Sequence, residues 1–107
     1  MLDRGDANPD EITYAALVKA LKDGAVALVD VREPNEWDAG HVEGSTLHPL
    51  STFDPAQLPR DKPIVLICRS GNRSMTALTR ARAAGFTEIW HYKGGALGWV
   101  REGGELV

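Results

Sequence analysis

Two apolar runs of strand length, residues 25–31 and 64–67, restrict this chain's folds more than any other feature. Neither alternates with polar residues as a half-exposed strand would. Ala25-Val26-Ala27-Leu28-Val29-Asp30-Val31 is nearly continuous and meets charge only at its end, and Ile64-Val65-Leu66-Ile67 is wholly apolar. Strands of this kind are covered on both faces, so the chain must supply helices to cover them.

Those helices are readable. Tyr14, Leu17, Val18 and Leu21 fall at helical spacing within residues 13–24, where Thr13 can cap the start and Gly24 the end. Residues 74–84 predict a second helix with Ala77, Leu78, Ala81 and Ala84 on one face, Arg80 and Arg82 turned away, and Gly85 beyond its end. Pro34-Asn35-Glu36-Trp37 reads as one helical turn closed by Gly40. Residues 51–58 read as a short helix capped by Ser51 and stopped by Pro59. Residues 46–48 and 88–91 read as short strands, and the segment after Gly94-Gly95 as a short helix that packs Trp99 against the body. Alternation of helices and apolar strands implies an α/β fold with a mostly parallel sheet. Ligands in such sheets collect at the carboxyl ends of the strands, where Asp30 and Cys68 lie.

At 107 residues the expectation is a single domain, residues 1–107, with enough apolar residues (43%) to build a core without staples. A net charge of −3 offers no general attraction to nucleic acid or anionic lipid. The single cysteine excludes an intramolecular disulfide and a four-cysteine zinc site, which points to a reducing compartment. Met1-Leu2-Asp3-Arg4-Gly5-Asp6 carries no basic segment leading into an apolar stretch, and no run approaches the length of a membrane span. The expected location is the cytoplasm, with no membrane partner.

That cysteine stands where the second apolar run gives way to a polar loop, Cys68-Arg69-Ser70-Gly71-Asn72-Arg73-Ser74. Taken alone, a free cysteine is most often a small buried hydrophobe. A loop with no apolar residue to continue the core argues otherwise. With a helix starting near Ser74, the amides of Ser70 through Arg73 can curl round the sulfur, and Gly71 supplies the freedom for the turn. Arg69 and Arg73 would flank the opening and favour an anionic substrate, and a helix N-terminus favours thiolate over thiol. Cysteine phosphatases place five residues between the cysteine and the arginine that grips phosphate. Here there are four, and Ser74 occupies the expected arginine position. The ring is one residue short for phosphate and suits the terminal sulfur of a persulfide.

At this point the sequence resembles the single-domain rhodanese-like sulfurtransferases. Asp30-Val31-Arg32-Glu33-Pro34-Asn35-Glu36-Trp37 is similar to the family's Asp-Val-Arg segment, and Gly40-His41-Val42-Glu43-Gly44-Ser45 to its Gly-His-Ile-Pro-Gly-Ala segment. The Cys68 loop resembles the family's six-residue active loop, and Gly94-Gly95 followed by Trp99 resembles its closing segment. Glu43 and Ser45 depart from the usual proline and alanine, outside the active loop.

The resemblance implies a central, mostly parallel five-stranded sheet with helices on both faces. It also implies double displacement. Cys68 would take a sulfane sulfur from a small anionic donor such as thiosulfate and pass it to cyanide, thioredoxin or another thiol. The residues of the loop from Arg69 to Ser74 (Arg69, Ser70, Gly71, Asn72, Arg73, Ser74) would bind substrate, and no metal or organic cofactor is implied. Asp30 and Arg32 read as a structural brace at the strand end, with Glu36 as a further ion-pair partner. His41, His48 and His91 form no metal motif at their separations and read as packed or solvent-facing, and Trp37, Trp90 and Trp99 read as core. Alternative readings are a non-catalytic or sulfur-carrier module and, less favoured by the short loop, a phosphatase or arsenate reductase.

Overall fold

The two apolar runs lie side by side at the centre of a parallel sheet. In the computed structural model, which describes residues 2–5 and 8–107, they form β1 (Ala27–Asp30) and β3 (Ile64–Ile67), paired with Leu28 opposite Val65 and Asp30 opposite Ile67. Met1 and Asp6, which entered the reading of the N-terminus, lie outside the described residues. β2 (Thr46–Leu47) adds beside β1 and β4 (Ile89–His91) beside β3, giving the order β2-β1-β3-β4 with every pair parallel.

The side-chain alternation of the central strands sorts the core into two layers. Leu28, Val65 and Ile67 face one side, with Leu17 and Ala20 of α1 (Tyr14–Lys22) and Trp99 of α4 (Gly95–Arg101). Val29, Ile64, Leu66 and Cys68 face the other, with Ala77, Leu78 and Ala81 of α3 (Asn72–Ala83). Helices therefore cover both faces, as the unbroken apolar runs require. Each large aliphatic residue removed from water here contributes about 2 kcal/mol. α2 (Pro34–Asp38) follows β1 at the carboxyl end of the sheet.

Three expectations need correction. The sheet has four strands among the described residues, not five. Glu11 makes a single parallel bridge to His91, with the Ile12 amide donating to the His91 carbonyl (3.2 Å) and the His91 amide to the Asp10 carbonyl (2.9 Å). The Asp10 amide, which would extend this ladder backwards, donates instead to Asn8 Oδ1 (2.8 Å), and Thr13 turns the chain at once into α1 by accepting the Ala16 amide (3.2 Å). The expected helix over residues 51–58 is instead two 3-10 turns, Leu50–Thr52 and Pro55–Gln57. Pro55 cannot donate to Ser51 as an α-helix would need, so Asp54 caps a new turn through the Ala56 amide, and the Ser51 hydroxyl donates to Glu33. Finally, α3 begins at Asn72 rather than Ser74 and ends so that Ala84 is exposed. Arg82 is turned from the core but is not free, because it pairs with Asp10 beside the bridge.

Candidate active site

Cys68 follows β3 directly and is 1% exposed, with its sulfur at the head of α3. The Gly71 amide donates to Sγ at 3.1 Å, and the Ser74 hydroxyl lies 3.5 Å from it. The loop closes this tightly because Gly71 takes φ +102° as the residue before the helix. A Cβ there would stand 2.5 Å from the Lys93 carbonyl oxygen.

A second glycine holds the loop from behind. The Cys68 and Arg69 carbonyls accept the Ala96 and Leu97 amides at 2.8 and 3.2 Å, so the first turn of α4 anchors the strand exit. Gly95, at φ +65°, brings that turn into contact with the loop, and a Cβ on it would strike the Arg69 backbone. The Gly94-Gly95 pair of the sequence thus marks a close approach of two backbones.

Burial pushes the Cys68 thiol up, but hydrogen bonds from the Ser74 hydroxyl and from the Ser74, Gly71 and Ser70 amides outweigh it. The net direction is down, toward thiolate. Neither arginine ranks among the largest contributions, so the anion is held chiefly by amides and one hydroxyl.

The arginines occupy different states. Arg73 sits in the first turn of α3 and places both terminal nitrogens on the Glu36 carboxylate, at 2.5 and 2.9 Å. That hydrogen bond, against the opposing effect of burial, takes Glu36 down to about 2, and the same pair raises Arg73. Arg69 is exposed and has no side-chain partner among the described residues. It borders a cleft of about 350 Å³ together with Arg32, Glu36, Leu97, Val100 and Leu106. Ser70 and Asn72 are exposed on the loop, whereas Ser74 is fully buried beneath it.

Asp30 and Arg32 meet beside the site but do not touch Cys68. Arg32 donates from Nε (3.0 Å) and Nη2 (2.8 Å) to the Asp30 carboxylate, and from Nη2 to the Gly40 carbonyl (2.8 Å). With Glu36 it makes only a long contact to the backbone carbonyl (3.4 Å), because the Glu36 carboxylate belongs to Arg73.

His41 stacks on Trp37 with ring centroids 3.6 Å apart, and His48 Nε2 accepts the Asp54 amide. Trp99 is in the core, while Trp37 and Trp90 are half-buried, the latter beneath the Arg4 guanidinium. His91 is different. It is buried in β4 with Nδ1 2.8 Å from Ser74 Oγ, and sequence reading had no means of pairing two residues on separate elements.

A sulfur-bearing amide nest between the ends of parallel strands defines the class. The chain belongs to the rhodanese-like domain family, whose model matches residues 13–102. It is similar to a probable adenylyltransferase/sulfurtransferase of Mycobacterium tuberculosis, 41% identical over 72% of this chain and 21% of that protein. Among solved structures it is similar to a rhodanese-related protein of Thermoplasma volcanium, with TM-score 0.82, 34% identity, and coverage of 92% and 97% of the two chains. It is similar also to the human single-domain sulfurtransferase, with TM-score 0.75, 26% identity, and coverage of 90% and 98%. The chain spans between 21% and 59% of the length of the first curated relatives it matches. No helix of the described residues is long and apolar enough to cross a membrane.

Proposed function

We propose that this chain is a sulfurtransferase that carries a sulfane sulfur on Cys68. The observation that supports it best is the seat of the sulfur: an amide donor at 3.1 Å and a hydroxyl at 3.5 Å, at the N-terminus of a 12-residue helix. In the first half-reaction the Cys68 thiolate attacks the outer sulfur of thiosulfate. The donor's S–S bond breaks, sulfite leaves with the bonding pair, and Cys68 carries a persulfide with one negative charge. In the second, cyanide or a thiolate attacks the terminal sulfur, leaving as thiocyanate or a new persulfide and returning the Cys68 thiolate. Charge and atoms balance in both halves without an added cofactor.

The nearly complete burial of Cys68 favours a donor that reaches in with a single terminal atom over a bulky tetrahedral phosphate. Arg69 and the cleft beside it favour a donor or acceptor with one anionic group and an apolar body. Arg73, already paired with Glu36, is the weaker candidate for holding the donor. The reading fits the cytoplasm, where one thiol stays reduced.

Mass spectrometry tests it. Incubation with thiosulfate should add one sulfur atom to the protein, cyanide should remove it as thiocyanate, and Cys68→Ala should do neither. Thiosulfate-treated protein of unchanged mass, also silent with low-molecular-weight persulfides, would defeat the proposal. Cys68-dependent hydrolysis of a phosphate ester would replace it with the phosphatase reading.

A further inference from the structure

Ser74 Oγ has three polar neighbours: His91 Nδ1 at 2.8 Å, the Gly71 carbonyl at 3.2 Å and Cys68 Sγ at 3.5 Å. A hydroxyl has one hydrogen to give. The carbonyl and a thiolate can only accept, so His91 alone can act as the donor in this set. If Nδ1 is bare it takes the Ser74 hydrogen, and the sulfur loses its hydroxyl. If Nδ1 carries hydrogen it donates to Oγ and leaves the Ser74 hydrogen for the remaining acceptors, of which the anionic sulfur attracts more strongly than the neutral carbonyl.

We propose that His91 is a positioning residue for Cys68, donating Nδ1–H to Ser74 so that the Ser74 hydroxyl points at the thiolate. All three residues are nearly solvent-free, at 3%, 0% and 1% exposure, so water does not substitute for any of the three. His91 is held in place from its backbone: its amide donates to Asp10 and its carbonyl accepts from Ile12, at the one-residue bridge. The charged groups around the ring are Asp10 and Glu11 on the N-terminal segment, Lys93 after β4 and Arg82 on α3. Burial outweighs the two acids and pushes His91 below the ordinary histidine range, so at neutral pH the ring is neutral and has a single N–H to allot. When Cys68 becomes a persulfide its charge moves to the outer sulfur. The Ser74 hydrogen then turns to the Gly71 carbonyl, and the relay releases the inner sulfur as the charge leaves it.

The inference takes from the proposed function only that Cys68 works as a thiolate, and its test needs no sulfur donor. The ionisation midpoint of Cys68 is read from the pH profiles of thiolate absorbance and of alkylation by iodoacetamide. Ser74→Ala and His91→Leu should each raise that midpoint by about one pH unit, a tenfold change in the ionisation equilibrium. The double variant should move it no further than Ser74→Ala alone. His91→Asn, which presents an amide N–H near the Nδ1 position, should stay within about threefold of the unsubstituted protein. A folded His91→Leu with an unchanged midpoint, or His91→Asn moving as far as His91→Leu, overturns the proposal. Nitrogen-15 NMR of the unsubstituted protein gives a check independent of how the variants fold. Hydrogen on Nδ1 at a pH where Cys68 is thiolate is expected, and a bare Nδ1 overturns the idea. Loss of sulfur uptake from thiosulfate with these shifts intact would remove the transferase reading and leave the relay standing.

Discussion

Replacing Glu36 with glutamine probes how α2 is tied to the Cys68 loop. The carboxylate reaches 37 residues along the chain to hold Arg73, in the first turn of the helix that heads the sulfur site. Its pKa falls from 4.5 to about 2 in the folded protein, first through the Arg73 hydrogen bond, with burial opposing it and the Glu33 amide assisting. At about 1.4 kcal/mol for each pH unit between those values, the ceiling on the stabilisation is about 3.4 kcal/mol. Glu36 is 24% and Arg73 33% exposed, and solvent screening brings the expected value to about 1–2 kcal/mol.

Because the folded pKa is depressed, this stabilisation is fully present above the unfolded value near 4.5 and is lost as pH falls toward 2. Glutamine is neutral throughout. Glu36→Gln should therefore melt about 4–15 °C below the unsubstituted protein at pH 7, by circular dichroism, with the gap narrowing steadily between pH 4.5 and 2. A gap of the same size at pH 7 and pH 2.5 would refute the reasoning, since it would show that the carboxylate charge is not the source. The same substitution leaves Arg73 without its counter-charge, so under the proposed sulfurtransferase reading the KM for an anionic donor such as thiosulfate should fall even as stability drops.

Three further substitutions test the frame. Gly95→Ala forces a side chain onto a φ of +65° and against the Arg69 backbone, and should cost more than about 1 kcal/mol in urea unfolding, with Cys68 alkylation altered as the loop shifts. Arg32→Ala leaves the buried Asp30 carboxylate unpaired and should cost about 3–5 kcal/mol, whereas Arg82→Ala, which removes a pair one-third exposed on both sides, should cost under about 1 kcal/mol.

The features readable in advance are those that one stretch of chain determines by itself. β1 and β3 follow from uninterrupted apolar runs, and α1 from a cap, a stripe and a glycine stop. The place of Cys68 follows from where an apolar run ends. What escaped depends on partners. Nothing local in residues 8–12 says that pairing with β4 will stop after Glu11, and the helix pattern over 51–58 hid the missing Pro55 donor. α3 starts two residues early because Gly71 adopts a left-handed turn, for which no side-chain cap is visible in the sequence. The pairing of Arg73 with Glu36 and of Ser74 with His91 joins residues on different elements, and only the register of strands and helices brings them together. Both change the chemistry read from the loop: one arginine is already neutralised, and a histidine read as packing lies one hydroxyl from the sulfur.

The sheet's borders also bear on how the protein behaves in a crowded solution. One margin is a two-residue strand and the other a single bridging residue. Each exposes too little free backbone to recruit a strand from another molecule. The uncharged Ile64–Ile67 stretch, an apolar segment of the kind that assembles into fibres when exposed, is hydrogen-bonded on both sides and covered on both faces. Strand-to-strand assembly through Ile64–Ile67 therefore requires opening of the sheet's centre, and stability sets how often that happens.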